Sequence, residues 1–200
     1  MRPAAYARNL SEYQGDIFAI LSLRAWNVWW LAQEAFAGGQ FVSDQTAILG
    51  PLTFRYVGFV LAGLLELVVF LAVLRSPTRR TLALSLAAAV LVAFTFLTTM
   101  HERYAFGALV FLVLLIPERR ILALWLVLGV VTTLNLLAAI PPSDQIGALL
   151  PISGPLGVTC SIAMIAITLL VLRETVASAR ETAPVSADEG SAAVPEPRPT

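Results

Sequence analysis

From residue 54 onward, long apolar stretches alternate with short clusters of arginine, whereas the upstream stretch mixes apolar and polar positions. Five apolar runs stand out: Phe54 to Leu74, Thr81 to Met100, Tyr104 to Pro117, Ile121 to Ile140 and Pro155 to Leu172. At a helical rise of 1.5 Å, about 20 residues cross a hydrocarbon core of roughly 30 Å. The pattern therefore predicts about five membrane-spanning helices. The third run reaches only about 21 Å as a helix, so it has to start at the charged residues His101 to Arg103 or sit in a thinned bilayer. An all-α, polytopic membrane protein is expected, with its bundle over residues 54–174.

Upstream, Ile17 to Phe36 is interrupted by Arg24, Asn27, Gln33 and Glu34, which a spanning helix tolerates poorly. At about 100° per residue, Arg24, Asn27 and Glu34 share one quadrant, and Phe18, Trp26, Trp29, Trp30 and Phe36 lie opposite. This predicts an amphipathic helix over residues 17–38 lying in the membrane interface, ended by Gly38 and Gly39. Residues 1–16 form a polar extracytoplasmic segment without a signal-peptide pattern, and residues 39–53 form an extracytoplasmic loop. Residues 175–200, dominated by small and polar types, are expected to be a disordered cytoplasmic tail. Arg75, Arg79, Arg80, Arg119, Arg120, Arg173 and Arg180 flank alternate ends of the runs, which the positive-inside rule assigns to the cytoplasm. The C-terminus is then cytoplasmic, and His101-Glu102-Arg103 and the Trp-rich helix face the other side of the plasma membrane.

Composition sharpens this picture. Of 200 residues, 58% are hydrophobic and 13% charged, and the mean hydropathy of +0.81 is far from that of a water-soluble domain. The 13 basic and 13 acidic residues cancel, and no basic patch interleaved with aromatics is present, which excludes nucleic acid as a partner. Every basic residue is arginine, so there is no lysine to form a Schiff base, and an anion has to be held by arginine, histidine or backbone amides. Cys160 is the single cysteine, so neither an intrachain disulfide nor a thiolate cluster can form. There is no zinc spacing, phosphate loop, dinucleotide fingerprint or Ser-His-Asp pattern, so neither metal nor cofactor is expected.

The strongest candidate chemistry is Thr98-Thr99-Met100-His101-Glu102-Arg103-Tyr104, which puts an imidazole, a carboxylate, a guanidinium and a phenol at the outer end of two apolar spans. Arg103 can grip a phosphate bidentately, His101 can donate to it, and Glu102 can orient either neighbour. These groups suit an anionic, membrane-borne substrate. They equally suit a tight turn whose charges merely anchor helix ends at the headgroups. On the Trp-rich helix, Arg24, Asn27, Glu34 and Trp30 could wall a substrate cavity, or the helix could be a plain interfacial anchor. Glu66, in the middle of the first span, is a functional candidate because a lone charge there is costly, or else a neutral acid hydrogen-bonded inside the bundle.

Two segments carry a resemblance. Ser22-Leu23-Arg24-Ala25-Trp26-Asn27-Val28-Trp29-Trp30-Leu31, followed later by Met100-His101-Glu102-Arg103-Tyr104, resembles the C-terminal half of bacterial GT-C glycosyltransferases. The nearest group is the mannosyltransferases similar to those of glycosylphosphatidylinositol synthesis, and the likeness covers residues 14–140. It implies transfer of a hexose such as mannose from a polyprenyl-phosphate donor to an extracytoplasmic acceptor. His101, Glu102, Arg103 and Tyr104 would lie beside the donor phosphate, and Arg24, Asn27, Glu34 and Trp30 would line the cavity. In that family the acidic catalytic residue lies in the first outer loop of a longer chain. No segment here matches that loop, so the resemblance implies a catalytic base outside this chain, in a separate or upstream N-terminal half. The alternatives are a non-catalytic membrane protein that binds lipid phosphate or scaffolds a partner, and a transporter, for which Glu66 is the only support.

Overall fold

The computed structural model describes residues 19–181; the expected N-terminal segment and most of the expected C-terminal tail lie outside them. The described residues are mainly helical. In chain order they form β1 (Ser22–Leu23), α1 (Val28–Ala37), β2 (Ala47–Leu49), β3 (Leu52–Thr53), α2 (Phe54–Arg75) and α3 (Arg79–Phe96). There follow β4 (Met100–His101), α4 (Phe106–Leu112), a 3-10 turn at Val113–Leu115, α5 (Arg119–Ala139), α6 (Asp144–Leu149) and α7 (Pro155–Glu181).

Among the described residues four helices, not five, are long and apolar enough to cross a membrane: α2, α3, α5 and α7. The third expected span, Tyr104 to Pro117, holds only the short helical stretch Phe106–Leu115. The reason lies just upstream. Leu97 leaves the helix in an extended conformation, Thr99 adopts a left-handed φ of 59°, and Met100–His101 pair as a strand. Residues that could have started a long helix are thus spent at the bundle's end. Even so, Arg80 at the start of α3 holds Glu118 in a two-point contact of 2.9 and 2.8 Å, so the short stretch leads the chain back to the end where α3 begins. The last helix is longer than its apolar run and continues to Glu181, taking in the first residues of the expected tail.

Small residues let the helices approach, as membrane bundles require. In α3, the central helix, Ala83, Ala87, Ala88 and Leu91 are buried, and hydroxyl pairs join it to α7: Thr95 with Thr168 at 2.8 Å and Thr81 with Ser178 at 2.9 Å. Thr132 turns back to the Leu128 carbonyl of its own helix. By contrast α2 lies on the flank, with only Gly58, Ala62, Val69 and Ala72 buried. Phe59, Leu64, Phe70 and Leu74 point outward, where hydrocarbon would solvate them.

The Trp-rich segment departs from the expected interfacial helix over 17–38. Its helix begins only at Val28, because Asn27 caps it, the side-chain oxygen accepting from the amides of Trp29 and Trp30 at 3.0 Å each. Before that cap the backbone is extended and satisfied from elsewhere. Leu21 donates to the Val42 carbonyl, Ser22 donates to the Gln33 side chain, and β1 runs parallel to β4, with Ser22 opposite Met100 and Leu23 opposite His101. Nor do the tryptophans sit in lipid. Trp26, Trp29 and Trp30 are all buried, and the indole N–H groups of Trp26 and Trp29 donate to the carbonyls of Ile152 and Phe96. The helix ends at Gly38 and Gly39, with φ of 57° and 78°, and the following loop contains the small β2–β3 hairpin.

Candidate functional site

The end of the bundle where α2 and α7 begin and α3 and α5 finish gathers most of the polar side chains that the apolar helices do not need. Asn135, near the end of α5, shapes its rim: the side-chain oxygen accepts from the Trp26 amide at 3.0 Å, and the amide nitrogen donates to the Arg24 carbonyl at 2.8 Å. Held on both sides, Arg24 takes a left-handed φ of 59°, a conformation non-glycine residues adopt at a cost. Its guanidinium donates to the Ala139 carbonyl at 2.8 Å, capping the last turn of α5 while keeping other N–H groups turned to solvent.

Beside it lies the His-Glu-Arg-Tyr sequence. Glu102 is buried, between His101 (Nδ1 to Oε2, 3.8 Å) and Arg103 (Nη1 to Oε1, 3.5 Å). Tyr104 meets the imidazole edge-on at 5.4 Å between ring centres, and the Arg103 guanidinium lies 5.6 Å from the phenol ring centre. The four residues expected to work together are therefore neighbours, with Glu102 as the buried hub and Arg103 and Tyr104 exposed.

His101 lines two open cavities. One, of about 270 Å³, is bounded by Leu23, Arg24, Phe41, Arg103 and Ile140. The other, of about 520 Å³, is bounded by Arg55, Phe59, Thr99, Met100 and Tyr104. Each combines at least one guanidinium with an apolar wall, which is the chemistry of an amphiphile carrying a negative head.

A second polar cluster escapes a reading of the sequence. Asp44, in the loop after α1, is fully buried and takes both ends of the Arg55 fork at 2.8 Å each. The Thr98 hydroxyl donates to the same carboxylate at 2.8 Å. Together they tie the loop, the first turn of α2 and the strand carrying His101 into one unit. The signal was present: an arginine in the first turn of an apolar helix needs a counter-charge, and Asp44 is the acid of the preceding loop. Around the two cavities three guanidiniums (Arg24, Arg55 and Arg103) thus stand beside two carboxylates, Asp44 and Glu102, while Glu34 and Asp144 lie elsewhere at the same end of the bundle.

The other expected cavity residues go elsewhere. Asn27 is a fully buried cap whose amide nitrogen donates to the Phe94 carbonyl at 3.0 Å. Trp30 sits in the core. Glu34 accepts from the Gly154 amide at 2.7 Å, fastening α1 to the turn before α7. The expected shared face of Arg24, Asn27 and Glu34 does not form, because Arg24 precedes the helix.

The chain matches no protein family, no curated protein and no solved structure. Its function is accordingly argued from the site itself. Among the described residues no three His, Cys, Asp or Glu side chains come together as a metal-binding group.

Proposed function

We propose that this end of the bundle binds the phosphate of a polyprenyl-phosphate sugar, and that the chain is the C-terminal membrane portion of a GT-C type glycosyltransferase. The observation that carries the reading is the placement of His101 between two cavities, each with a guanidinium beside an apolar wall. A lipid-linked phosphate would put its charge at Arg24, His101 and Arg103 and its isoprenoid along the bundle. Once a bound isoprenoid covers the cavities, such preorganised donors would stabilise charge better than they do in bulk solvent.

The carboxylates nearest the cavities are already engaged, Asp44 with Arg55 and Thr98 and Glu102 between His101 and Arg103. That favours a base supplied by another segment or chain, which would deprotonate the acceptor hydroxyl while this portion steadies the departing lipid phosphate. The hexose, with mannose the family's suggestion, and the extracytoplasmic acceptor belong to the same proposal. So do a multi-pass setting in a bacterial plasma membrane with a cytoplasmic C-terminus, and a fifth crossing completed by α4 where the bilayer is thinned. A non-catalytic lipid-phosphate-binding protein uses the same cavities and differs only in lacking the partner half.

The test is binding of a polyprenyl-phosphate hexose to the full chain reconstituted in bilayers. Arg24→Gln combined with His101→Gln is expected to weaken binding at least tenfold, about 1.4 kcal/mol, with thermal stability retained. Equal binding by variant and parent would sink the assignment. Binding without transfer, even after an N-terminal half is supplied, would leave the non-catalytic reading.

A further inference from the structure

The opposite end of the bundle carries cations that the reading above does not use. Between α2 and α7 lie two cavities, of about 650 and 190 Å³, that share Val68, Val176 and Arg180 and so form one groove. Its inner walls are apolar, with Val68, Leu71, Leu169 and Val176, while Arg75, Arg173 and Arg180 stand at its mouth. All three arginines are exposed, and among the described residues none has a carboxylate within ion-pair distance. Arg80, at the same end, differs in being held by Glu118 and Glu174. Glu181 lies on the outer rim, so the mouth keeps a net positive charge.

We propose that this groove binds an anionic phospholipid of the adjoining leaflet, its phosphate held by Arg75, Arg173 and Arg180 and one acyl chain laid along Val68, Leu169 and Val176. Depth supports this occupant. Counted from the starts of their helices, Arg75 lies about 31 Å along α2 and Arg173 about 27 Å along α7, each close to one hydrocarbon thickness of roughly 30 Å. Both guanidiniums therefore reach headgroup level while the groove below them opens onto the acyl layer. Arg180 lies about 10 Å further along α7, where its long side chain can fold back toward the same phosphate. Basic pockets between helices, open to hydrocarbon on one side, select lipid anions over zwitterions.

The experiment uses the full chain reconstituted in phosphatidylcholine bilayers with a trace of spin-labelled phosphatidylglycerol or spin-labelled phosphatidylcholine. The motionally restricted fraction reports association of each lipid. The expected result is a preference for phosphatidylglycerol of about fivefold or more, the ratio one basic residue contributes at an anionic surface. It should fall as salt rises and be lost in Arg75→Gln/Arg173→Gln/Arg180→Gln. Arg24→Gln/Arg103→Gln, at the other end, should keep it, which separates this site from the proposed donor site. Equal association of the two lipids in the parent protein, or a preference indifferent to salt, would overturn the proposal without recourse to any variant. A preference that emerges only after Asp188→Asn/Glu189→Gln would hand the groove to the chain's own acidic segment and overturn it as well.

Discussion

The Asn27 side chain joins two elements, α1 and α3. Its oxygen closes the first turn of α1, and its nitrogen satisfies the Phe94 carbonyl at the end of α3, all out of contact with solvent. Replacing it by alanine removes a helix cap, worth about 1 kcal/mol, and leaves a buried carbonyl unpaired, at about 1–3 kcal/mol. Asn27→Ala is therefore expected to lower stability by about 2–4 kcal/mol, read as a shift in the denaturation midpoint of the detergent-solubilised protein. Asn27 was legible as a polar residue amid tryptophans but not as a cap, because its partner at Phe94 lies 67 positions away in the chain. The same holds for Asp44. Its local sequence is that of an ordinary loop, and its importance comes from Arg55 and Thr98 closing over it.

At the scale of elements, α2 offers a matched pair of glycines. A Cβ at Gly58 would lie 2.9 Å from the Phe96 carbonyl oxygen and 3.3 Å from the Trp29 ring, whereas at Gly63 nothing lies within 4 Å. The first glycine lets α2 approach the end of α3, and the second faces outward. Gly58→Ala should destabilise by about 1–3 kcal/mol through overpacking, and Gly63→Ala should be neutral or stabilise by up to about 1 kcal/mol through helix propensity. Thermal melts of the two variants under identical conditions decide the point, since comparable losses would mean that α2 does not pack against α3 at Gly58. The apolar runs behind α2, α3, α5 and α7 were visible in the sequence, as length and hydropathy alone specify such helices. The third run was already visible as short, but how far α4 contracts within it was not, because that depends on how many residues the preceding strand and turn withdraw.

For the whole molecule, the two ends differ in how their charges are arranged. At the arginine-rich end, the Arg80 guanidinium beside Glu118 holds that carboxyl below its ordinary value near 4.5. A depressed carboxylate contributes stability that is complete above its unfolded value and lost as pH falls through its folded one. The contribution should therefore be present at neutral pH and disappear below about pH 4.5. Glu118→Gln is expected to flatten that acid limb while lowering neutral stability by no more than about 1 kcal/mol, since both side chains are partly exposed. Melting temperatures of parent and variant from about pH 6 down to about pH 3 check this, and parallel curves would count against it. At the His101 end the charges cluster around cavities instead, and it is there that sequence and tertiary structure divide the credit. By itself the sequence determined a mainly helical chain with helices long and apolar enough to cross a membrane and put His101, Glu102, Arg103 and Tyr104 side by side, because hydropathy and adjacency are local properties. Only the tertiary structure decided that Arg24 joins them while Asn27, Trp30 and Glu34 do not, and that Arg55 is held by Asp44. Those outcomes depend on which distant carbonyl or carboxylate satisfies each buried polar group, and no periodicity along the chain encodes that choice.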